Sequence, residues 1–237
     1  MLTRLLWKEW WENLWKLGFC AGVSLAFTML LFRLRIFPDL QNAFFISLVQ
    51  TIVVPVVYAL DLFSGEMSNR TIHLLFKIPV PRWKIFFAKY LVAIAGITLS
   101  FFVTAAAMEV LAWGREAQPG MLFVVSMLSG LCALILMTWF CLFGCQSRSE
   151  AGSLVAMFAV MAGWGIVLFW SRFCEVGWAD QVTPFMLAYA SSWVAERGYD
   201  GLQRWVHLDL ALQTQLATVA IVLPLACYRF VKVRRYL

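Results

Sequence analysis

The sequence predicts an all-α membrane protein with six transmembrane helices. Hydrophobic residues make up 62% of the 237-residue chain and charged residues only 14%. The mean hydropathy is +0.80, and six long runs carry no charge. A transmembrane helix needs about 20 mostly apolar residues, and this composition supplies them where a soluble domain would carry charges. We expect a single membrane domain over residues 1–237.

The charge-free runs predict the spans in order. They cover residues 17–32, 40–60, 90–108, 117–147, 151–171 and 210–228. The first run is short, and we expect Lys16 and Arg33 to extend outward from its ends and lengthen the usable span. The fourth run is long, with proline and glycine near its start and glycine near its end. Its helix is therefore predicted from about Gly120 to Phe143.

Residues 1–16 precede the first span and have two faces. At 100° per residue the apolar side chains gather on one side (Leu6, Trp7, Trp10, Trp11 and Leu14), and the polar ones gather on the other (Arg4, Lys8, Glu9, Glu12, Asn13 and Lys16). This pattern predicts an amphipathic helix in the membrane interface, with indoles at the headgroup boundary and basic residues toward lipid phosphates. An extension of the first span is the alternative, and both interpretations can hold.

The protein is predicted to lie in the cell membrane, which is the inner or plasma membrane. The distribution of its basic residues predicts how the chain is oriented there. Six spans put both termini on one side, and 13 of the 19 Lys and Arg fall there. Cytoplasmic loops are enriched in Lys and Arg, so both termini are predicted to be cytoplasmic. The outer segment 172–209 contains a charge-free stretch, 181–195, that is too short to cross and includes a proline. A re-entrant or interfacial helix is favoured over a seventh crossing.

The sequence contains no motif of a soluble enzyme. It has no phosphate loop, H-E-x-x-H or G-x-S-x-G motif, and His73 and His207 fall on opposite predicted sides of the membrane. The six cysteines lack metal-ligand spacing, and no basic face with interleaved aromatics indicates nucleic-acid binding. Asp61 and Glu109 lie at predicted helix ends, so they are interpreted as solvated interfacial residues rather than as an ion relay. We expect no metal, no cofactor and no nucleic acid on this chain.

Two spans have unusual composition. Span two carries a set of polar residues and a proline: Gln41, Asn42, Ser47, Gln50, Thr51, Pro55 and Tyr58. Polar side chains in hydrocarbon need partners or a cavity, so this helix is predicted to face the protein interior. Helix-to-helix hydrogen bonding and a transport pathway explain the polarity equally well. In span five the small residues Gly152, Ser153, Ala156, Gly163 and Gly165 predict close helix packing.

Residues 64–84 form a charged, proline-ended insertion between spans two and three. A helix is predicted from Ser64 to Ile78, with Glu66 in its first turn complementing the helix dipole. Pro79 and Pro81 end it and stiffen the following basic turn. A short amphipathic helix followed by a rigid turn suits docking on a partner protein.

The insertion resembles the loop between spans two and three in permease subunits of type-2 ABC transporters, the six-span exporters. That loop typically reads Glu, three residues, Gly-Thr, a Leu-Leu pair, Pro, a basic residue and a later Lys. The matching residues here are Glu66, Thr71, Leu74, Leu75, Pro79, Arg82 and Lys89. Arg70 replaces the usual glycine, and His73 stands where glutamate is common. The resemblance extends to the N-terminal helix, the six spans and the outer helices.

The resemblance implies a permease that works as a dimer, with a second copy or a related permease, in membrane lipid. Each half would dock through residues 64–84 (Glu66, Arg70, Thr71, His73, Leu74, Leu75, Pro79 and Arg82) on a separate ATPase subunit that carries ATP and Mg. Similar permeases line their pathway with spans two and five, which implies substrate contacts at Gln50, Tyr58, Met157, Met161 and Trp164. A secondary carrier or channel without an ATPase and a non-transporting scaffold are the alternatives.

Overall fold

A computed structural model of the chain describes residues 2–35, 37–60, 80–114, 120–144, 149–174, 183–197 and 208–232. Every regular element in these ranges is an α-helix. The helices are α1 (Leu2–Leu34), α2 (Asp39–Ala59), α3 (Arg82–Leu111), α4 (Met121–Gly144), α5 (Glu150–Phe173), α6 (Phe185–Arg197) and α7 (Leu208–Lys232). The prediction of an all-α fold is confirmed.

Six of the seven described helices, all but α6, are long and apolar enough to cross a membrane. Local signals explain where several begin. Pro38 and Pro81 immediately precede α2 and α3, where a proline restricts the backbone and ends the preceding segment. The side chain of Ser149 caps α5 by accepting a hydrogen bond from the backbone N–H of Gly152 at 3.1 Å. The predicted bounds of the fourth helix, Gly120 to Phe143, agree with α4 to within one residue.

Helix α4 is the centre of the bundle. It contacts α2, α3, α5, α6 and α7, while α1 packs outside it on α3 and α2. Its sequence explains this position, because apolar and small residues surround the whole helix and almost every side chain finds an apolar neighbour. Two clusters of buried hydrophobic residues result, one through the middle of the bundle and one at the end that holds the α3–α4 connection.

The first helix runs from Leu2 to Leu34 without a break at residue 16. Residues 2–16 are therefore an extension of the first span, the second of the two interpretations above. At 1.5 Å per residue the 33-residue helix is about 50 Å long, well beyond the roughly 30 Å of a hydrocarbon core. Its N-terminal third can extend past the membrane while it stays packed on α3.

The start of α1 and the end of α7 lie on the same side of the bundle. Glu9 near the start of α1 pairs with Lys89 near the start of α3, and Phe86 of α3 packs on Phe230 near the end of α7, with ring centroids 5.7 Å apart. This is the arrangement that six alternating crossings require. We call this side of the bundle the terminal end.

Helix α6 enters the bundle from the opposite end. It packs on α4 and α2, and the hydroxyl of Ser191 lies 3.1 Å from that of Ser129. Ser129 is eight residues beyond Met121, which places this contact about 12 Å along α4 from its start. With 13 residues α6 is too short to cross. This short helix between spans five and six, at the end opposite the termini, agrees with the re-entrant or interfacial helix predicted for residues 181–195.

Candidate functional site

Most of the predicted ATPase-docking residues lie outside the described residues. These are Glu66, Arg70, Thr71, His73, Leu74, Leu75 and Pro79. Their roles, and the helix predicted from Ser64 to Ile78, stay predictions. The described chain stops at Leu60 and resumes at Val80, so it fixes where the 64–84 segment leaves and rejoins the bundle. Both points belong to the terminal end.

Arg82, the predicted docking residue that the structure describes, begins α3. Its guanidinium Nη1 donates to the backbone carbonyl of Val231 in the last turn of α7 at 3.2 Å. Carbonyls at a helix C-terminus lack intrahelical partners and carry partial negative charge, so a cation is favourable there. Arg82 thus ties the end of the docking segment to the last helix.

A buried ion pair joins α3 to α1 two turns further along. The Lys89 Nζ lies 2.9 Å from Glu9 Oε2, and the exposed fractions of the two side chains are 4% and 1%. Lys8 stands 3.8 Å from the other Glu9 oxygen. Removing two charges from water is costly, and close pairing with hydrogen bonds offsets that cost. The pair therefore holds α1 and α3 in one position relative to each other, because a shift of either helix would leave a buried charge without its partner.

Asn13 and Lys16 continue the polar contact surface of α1. Asn13 donates to the Glu9 carbonyl at 2.7 Å, and Lys16 Nζ donates to Asn13 Oδ1 at 2.6 Å. Lys16 has 1% of its surface exposed, so the prediction that it extends outward from the first span is wrong. Together with Glu9, these residues stand at i, i+4 and i+7, one stripe of the helix, and that stripe faces α3.

The predicted orientation of the N-terminal faces therefore needs correction. Only part of the polar side is exposed, since Glu9, Asn13 and Lys16 are buried, while the indoles of Trp7 and Trp11 lie on the outer surface. The physical reason is that a polar stripe can be satisfied by charged groups of another helix as well as by water or lipid phosphates. The partner, Lys89, lies 80 residues away in the sequence, and the N-terminal periodicity alone does not reveal it.

The polar residues of span two face the interior, as predicted. Asn42, Ser47, Gln50, Thr51 and Tyr58 are all buried. Gln50 Nε2 donates to Thr104 Oγ1 of α3 at 2.8 Å. Thr51 Oγ1 lies 2.8 Å from the Ser47 carbonyl and 3.1 Å from the Ser129 carbonyl of α4. Hydrogen bonds between helices therefore account for part of this polarity.

Tyr58 occupies a site in the core where α2 meets α3. It is 1% exposed, and its ring lies directly over Gly96: a Cβ placed on that glycine would come within 2.7 Å of Tyr58 Cε1. The absence of a side chain at Gly96 is what lets the ring pack there. In the described chain Tyr58 lines a closed contact between helices.

The other predicted pathway residues belong to α5. Met157 and Met161 are buried, and Trp164 contacts Trp139 of α4 with ring centroids 5.4 Å apart. They form the face by which α5 packs on α4. Gln50 and Tyr58 instead face α3. Within the described residues the two predicted sets do not line one common cavity, and their substrate contacts stay predictions.

The close packing predicted for the small residues of span five is found only at its start. If Gly144 carried a Cβ atom, that atom would lie 3.5 Å from Ser153 Oγ. A Cβ added to Gly163 or Gly165 would have no other atom within 4 Å. Most of α5 beyond its α4 contact is exposed apolar surface. Gly163 and Gly165 therefore pack on no described helix of this chain, and close packing there stays a prediction.

Helices α1 and α2 enclose a groove of about 160 Å³ that opens at the side of the bundle. We call it the α1–α2 groove. Its wall is almost entirely apolar, with two polar side chains, Ser24 and Gln50; the lining residues are Phe19, Cys20, Val23, Ser24, Phe27, Ile46, Val49, Gln50, Val53 and Val54. The polarity of Gln50 is visible in the sequence, whereas the groove depends on how α1 and α2 pack.

Glu109 has a role that the sequence did not indicate. Its carboxylate Oε1 accepts a hydrogen bond from the backbone N–H of Phe123 at 3.1 Å, in the first turn of α4. Such N–H groups lack helical partners, and a carboxylate there also complements the helix dipole. Glu109 of α3 thus caps the central helix from outside, which argues for a structural function of this acidic residue.

Six helices long and apolar enough to cross a membrane, with one short helix between the last two, define a multi-pass integral membrane protein. The chain matches the family described as ABC-2 family transporter protein over residues 16–193, about three-quarters of its length. It therefore belongs to that family, whose members are membrane permeases of ABC transporters and associate in general with an ABC ATPase. No curated protein matches the chain.

Proposed function

We propose that this chain is the permease subunit of an ATP-driven ABC exporter, forming the translocation pathway as a dimer and coupled to a separate ATPase. Membership of the ABC-2 family over residues 16–193 carries the proposal. The sequence contains no phosphate loop, so ATP and Mg would be bound by the partner subunit. The permease chain itself would bind lipid and substrate and perform no hydrolysis.

The contacts at the terminal end support the proposed coupling through residues 64–84. Arg82 links the start of α3 to α7, and Lys89 links it to α1. A displacement of the docking segment would therefore move three spans together rather than bend one. Closure of two ATPases on ATP binding can in this way shift the permease between two conformations.

The excess of Lys and Arg at the terminal end supports a cytoplasmic location for both termini. A cysteine placed at Arg70 in a Cys174→Ser background tests this orientation, because Cys174 is itself exposed. It should react with a membrane-impermeant maleimide only after the cells are opened. Reaction in intact cells would place the docking segment outside and contradict the proposal.

The exposed face of α5 supports dimer formation. It combines Gly163, at which a side chain would meet open space, with large apolar neighbours such as Phe158 and Ile166. Small residues let helices of two subunits approach closely. In a Cys174→Ser background, Gly163→Cys should give a disulfide-linked dimer on mild oxidation, whereas Ile221→Cys on the exposed face of α7 should not. Equal cross-linking at both positions would contradict a specific α5 interface.

Transport is tested with the permease and its ATPase reconstituted in vesicles. Glu66→Ala should abolish ATP-driven flux while the two subunits still copurify, because the docking helix would lose the charge at its first turn. Glu12→Ala, at an exposed site on α1, should leave flux unchanged. Flux that persists without any ATPase would favour a secondary carrier, and an assembled complex without flux in the unaltered chain would favour a scaffold.

A further inference from the structure

A cluster of basic side chains lies where the end of α7 meets the start of α3. Arg229 and Lys232 are exposed in the last turn of α7, and Lys84 lies in the first turn of α3. Arg82 joins the two helix ends, because its Nη1 donates to the Val231 carbonyl at 3.2 Å. All four basic residues are within two positions of this contact along the chain. The junction of α3 and α7 therefore concentrates positive charge.

The described chain does not balance this charge. Among the described residues no carboxylate oxygen lies within 4.0 Å of the charged groups of Lys84, Arg229 and Lys232. The one acidic residue of α7, Asp209, is at the opposite end of that helix, and residues 210–237 contain no Asp or Glu. The cations of the junction are therefore arranged for an anion that comes from outside the described chain.

An aromatic ring accompanies each of the two lysines. Lys232 Nζ lies 4.5 Å from the centroid of the Tyr228 ring, and Lys84 Nζ lies 5.3 Å from that of the Trp83 ring. Both rings are half-exposed on the outer surface of the bundle. Tyr and Trp are enriched at the headgroup level of a bilayer, and the face of a ring attracts a nearby ammonium group. These contacts favour a position of both lysines at the membrane–water interface.

The exposed face of α7 gives the depth of the cluster. One stripe of this helix consists of exposed residues at helical spacing: Ile221, Leu225, Tyr228 and Lys232. Ile221 is the middle residue of the span Leu210–Lys232. Lys232 follows it by 11 residues, about 16 Å along the helix, and half of a hydrocarbon core is about 15 Å thick. The stripe therefore leads from the acyl chains to the phosphate groups of the lipid.

From these features we propose that the end of α7, where α3 begins, binds an anionic phospholipid. Its phosphate lies beside Arg229 and Lys232, and its acyl chains lie along the apolar face at Ile221 and Leu225. Four or more Lys and Arg at the cytoplasmic end of a span are typical of binding to anionic lipid, and the sequence continues with Arg234 and Arg235. An acidic protein would complement the cations but not the apolar stripe that leads to them.

The binding of this lipid depends neither on the ATPase nor on transport, so it stands apart from the proposed function. Anionic lipids give the cytoplasmic leaflet its negative surface potential, and only the choice of leaflet rests on the orientation proposed above. The site adjoins the residue at which the 64–84 segment rejoins the bundle, because Arg82 contacts the end of α7 directly.

The test uses the full chain in phosphatidylcholine nanodiscs that contain a photoactivatable phosphatidylglycerol or a photoactivatable phosphatidylcholine. The two probes carry the same diazirine near the headgroup and differ only in headgroup charge. A cation near an anionic lipid contributes about 1 kcal/mol, so in the unaltered protein phosphatidylglycerol should label residues 221–232 more than about tenfold better. Lys232→Gln should lower this ratio about fivefold. Salt at about 1 M should also lower it, because the Debye length falls to about 3 Å.

Two control variants separate the charge of this site from other effects. Lys232→Arg keeps the charge and should retain the ratio of the unaltered protein. Arg33→Gln removes an exposed cation from the last turn of α1, at the opposite end of the bundle. It should leave the ratio on residues 221–232 unchanged.

Four results would overturn the proposal. The first is equal labelling of residues 221–232 by the two lipids in the unaltered protein. The second is an excess of phosphatidylglycerol that survives Arg229→Gln/Lys232→Gln. The third is an equal excess on residues 28–35, which would mean that any exposed cation suffices. The fourth is loss of the excess when the ATPase is bound, which would assign these cations to the ATPase instead of lipid.

Discussion

Replacing Lys89 by Met tests whether the Glu9–Lys89 pair holds α1 on α3. The charged atoms are 2.9 Å apart and both side chains are at most 4% exposed, so the variant leaves the Glu9 carboxylate buried opposite an apolar side chain. Breaking a buried pair in this way costs about 3–5 kcal/mol. For a chain of this size that corresponds to a fall in Tm of roughly 6–20 °C.

The assay is thermal unfolding of the purified chain in detergent, followed by tryptophan fluorescence. Glu9→Leu should lower the Tm by a similar amount, because it leaves the Lys89 ammonium buried. The double variant Glu9→Leu/Lys89→Met should recover most of the loss, since neither charge of the pair then remains buried. Glu12→Gln, which removes the charge of an exposed ion pair with Lys8 and leaves both partners of Glu9 in place, serves as the control and should change stability by less than about 1 kcal/mol.

Two results would refute this reasoning. One is a Tm for Lys89→Met that equals that of Glu12→Gln. The other is a double variant that loses the sum of the two single effects, because additive losses mean that the groups do not interact. Either result would also remove the proposed mechanical link from the docking segment to α1.

Two further predictions concern packing and capping. Gly96→Ala should destabilise the chain by about 1–3 kcal/mol, because the new Cβ would overlap the Tyr58 ring; the same thermal assay measures it, and Tyr58→Leu/Gly96→Ala should lose less than the sum of its single changes. Glu109→Ala should cost about 1 kcal/mol by removing the acceptor for the Phe123 N–H. Glu109→Gln, which keeps a side-chain acceptor, should retain most of the stability; an equal loss in both Glu109 variants would contradict the capping role.

The sequence was sufficient for the spans and for the general position of α6. Both follow from hydrophobic length alone, because a helix that crosses a hydrocarbon core needs a long uncharged run. The inward orientation of the polar side of α2 was also predictable. Gln50 and Thr51 cannot face lipid without a cost, so they had to face other helices.

The structure was necessary for features that depend on pairs of distant residues. The burial of Lys16 and Glu9 follows from the approach of Lys89 on another helix, which no local periodicity encodes. The site of Tyr58 depends on the missing side chain at Gly96, and the groove lined by α1 and α2 depends on how these two helices pack. Sequence patterns give the polarity of each helix face, whereas the neighbour of that face is set by the tertiary arrangement.

The most direct test of the central proposal is site-specific photo-cross-linking at position 66 in cells that express the chain and its ATPase. A photoreactive residue in place of Glu66 should trap the ATPase subunit. The same residue in place of Trp113, which is 88% exposed at the opposite end of α3, should not. A cross-link to the ATPase from position 113 and none from position 66 would contradict docking through residues 64–84.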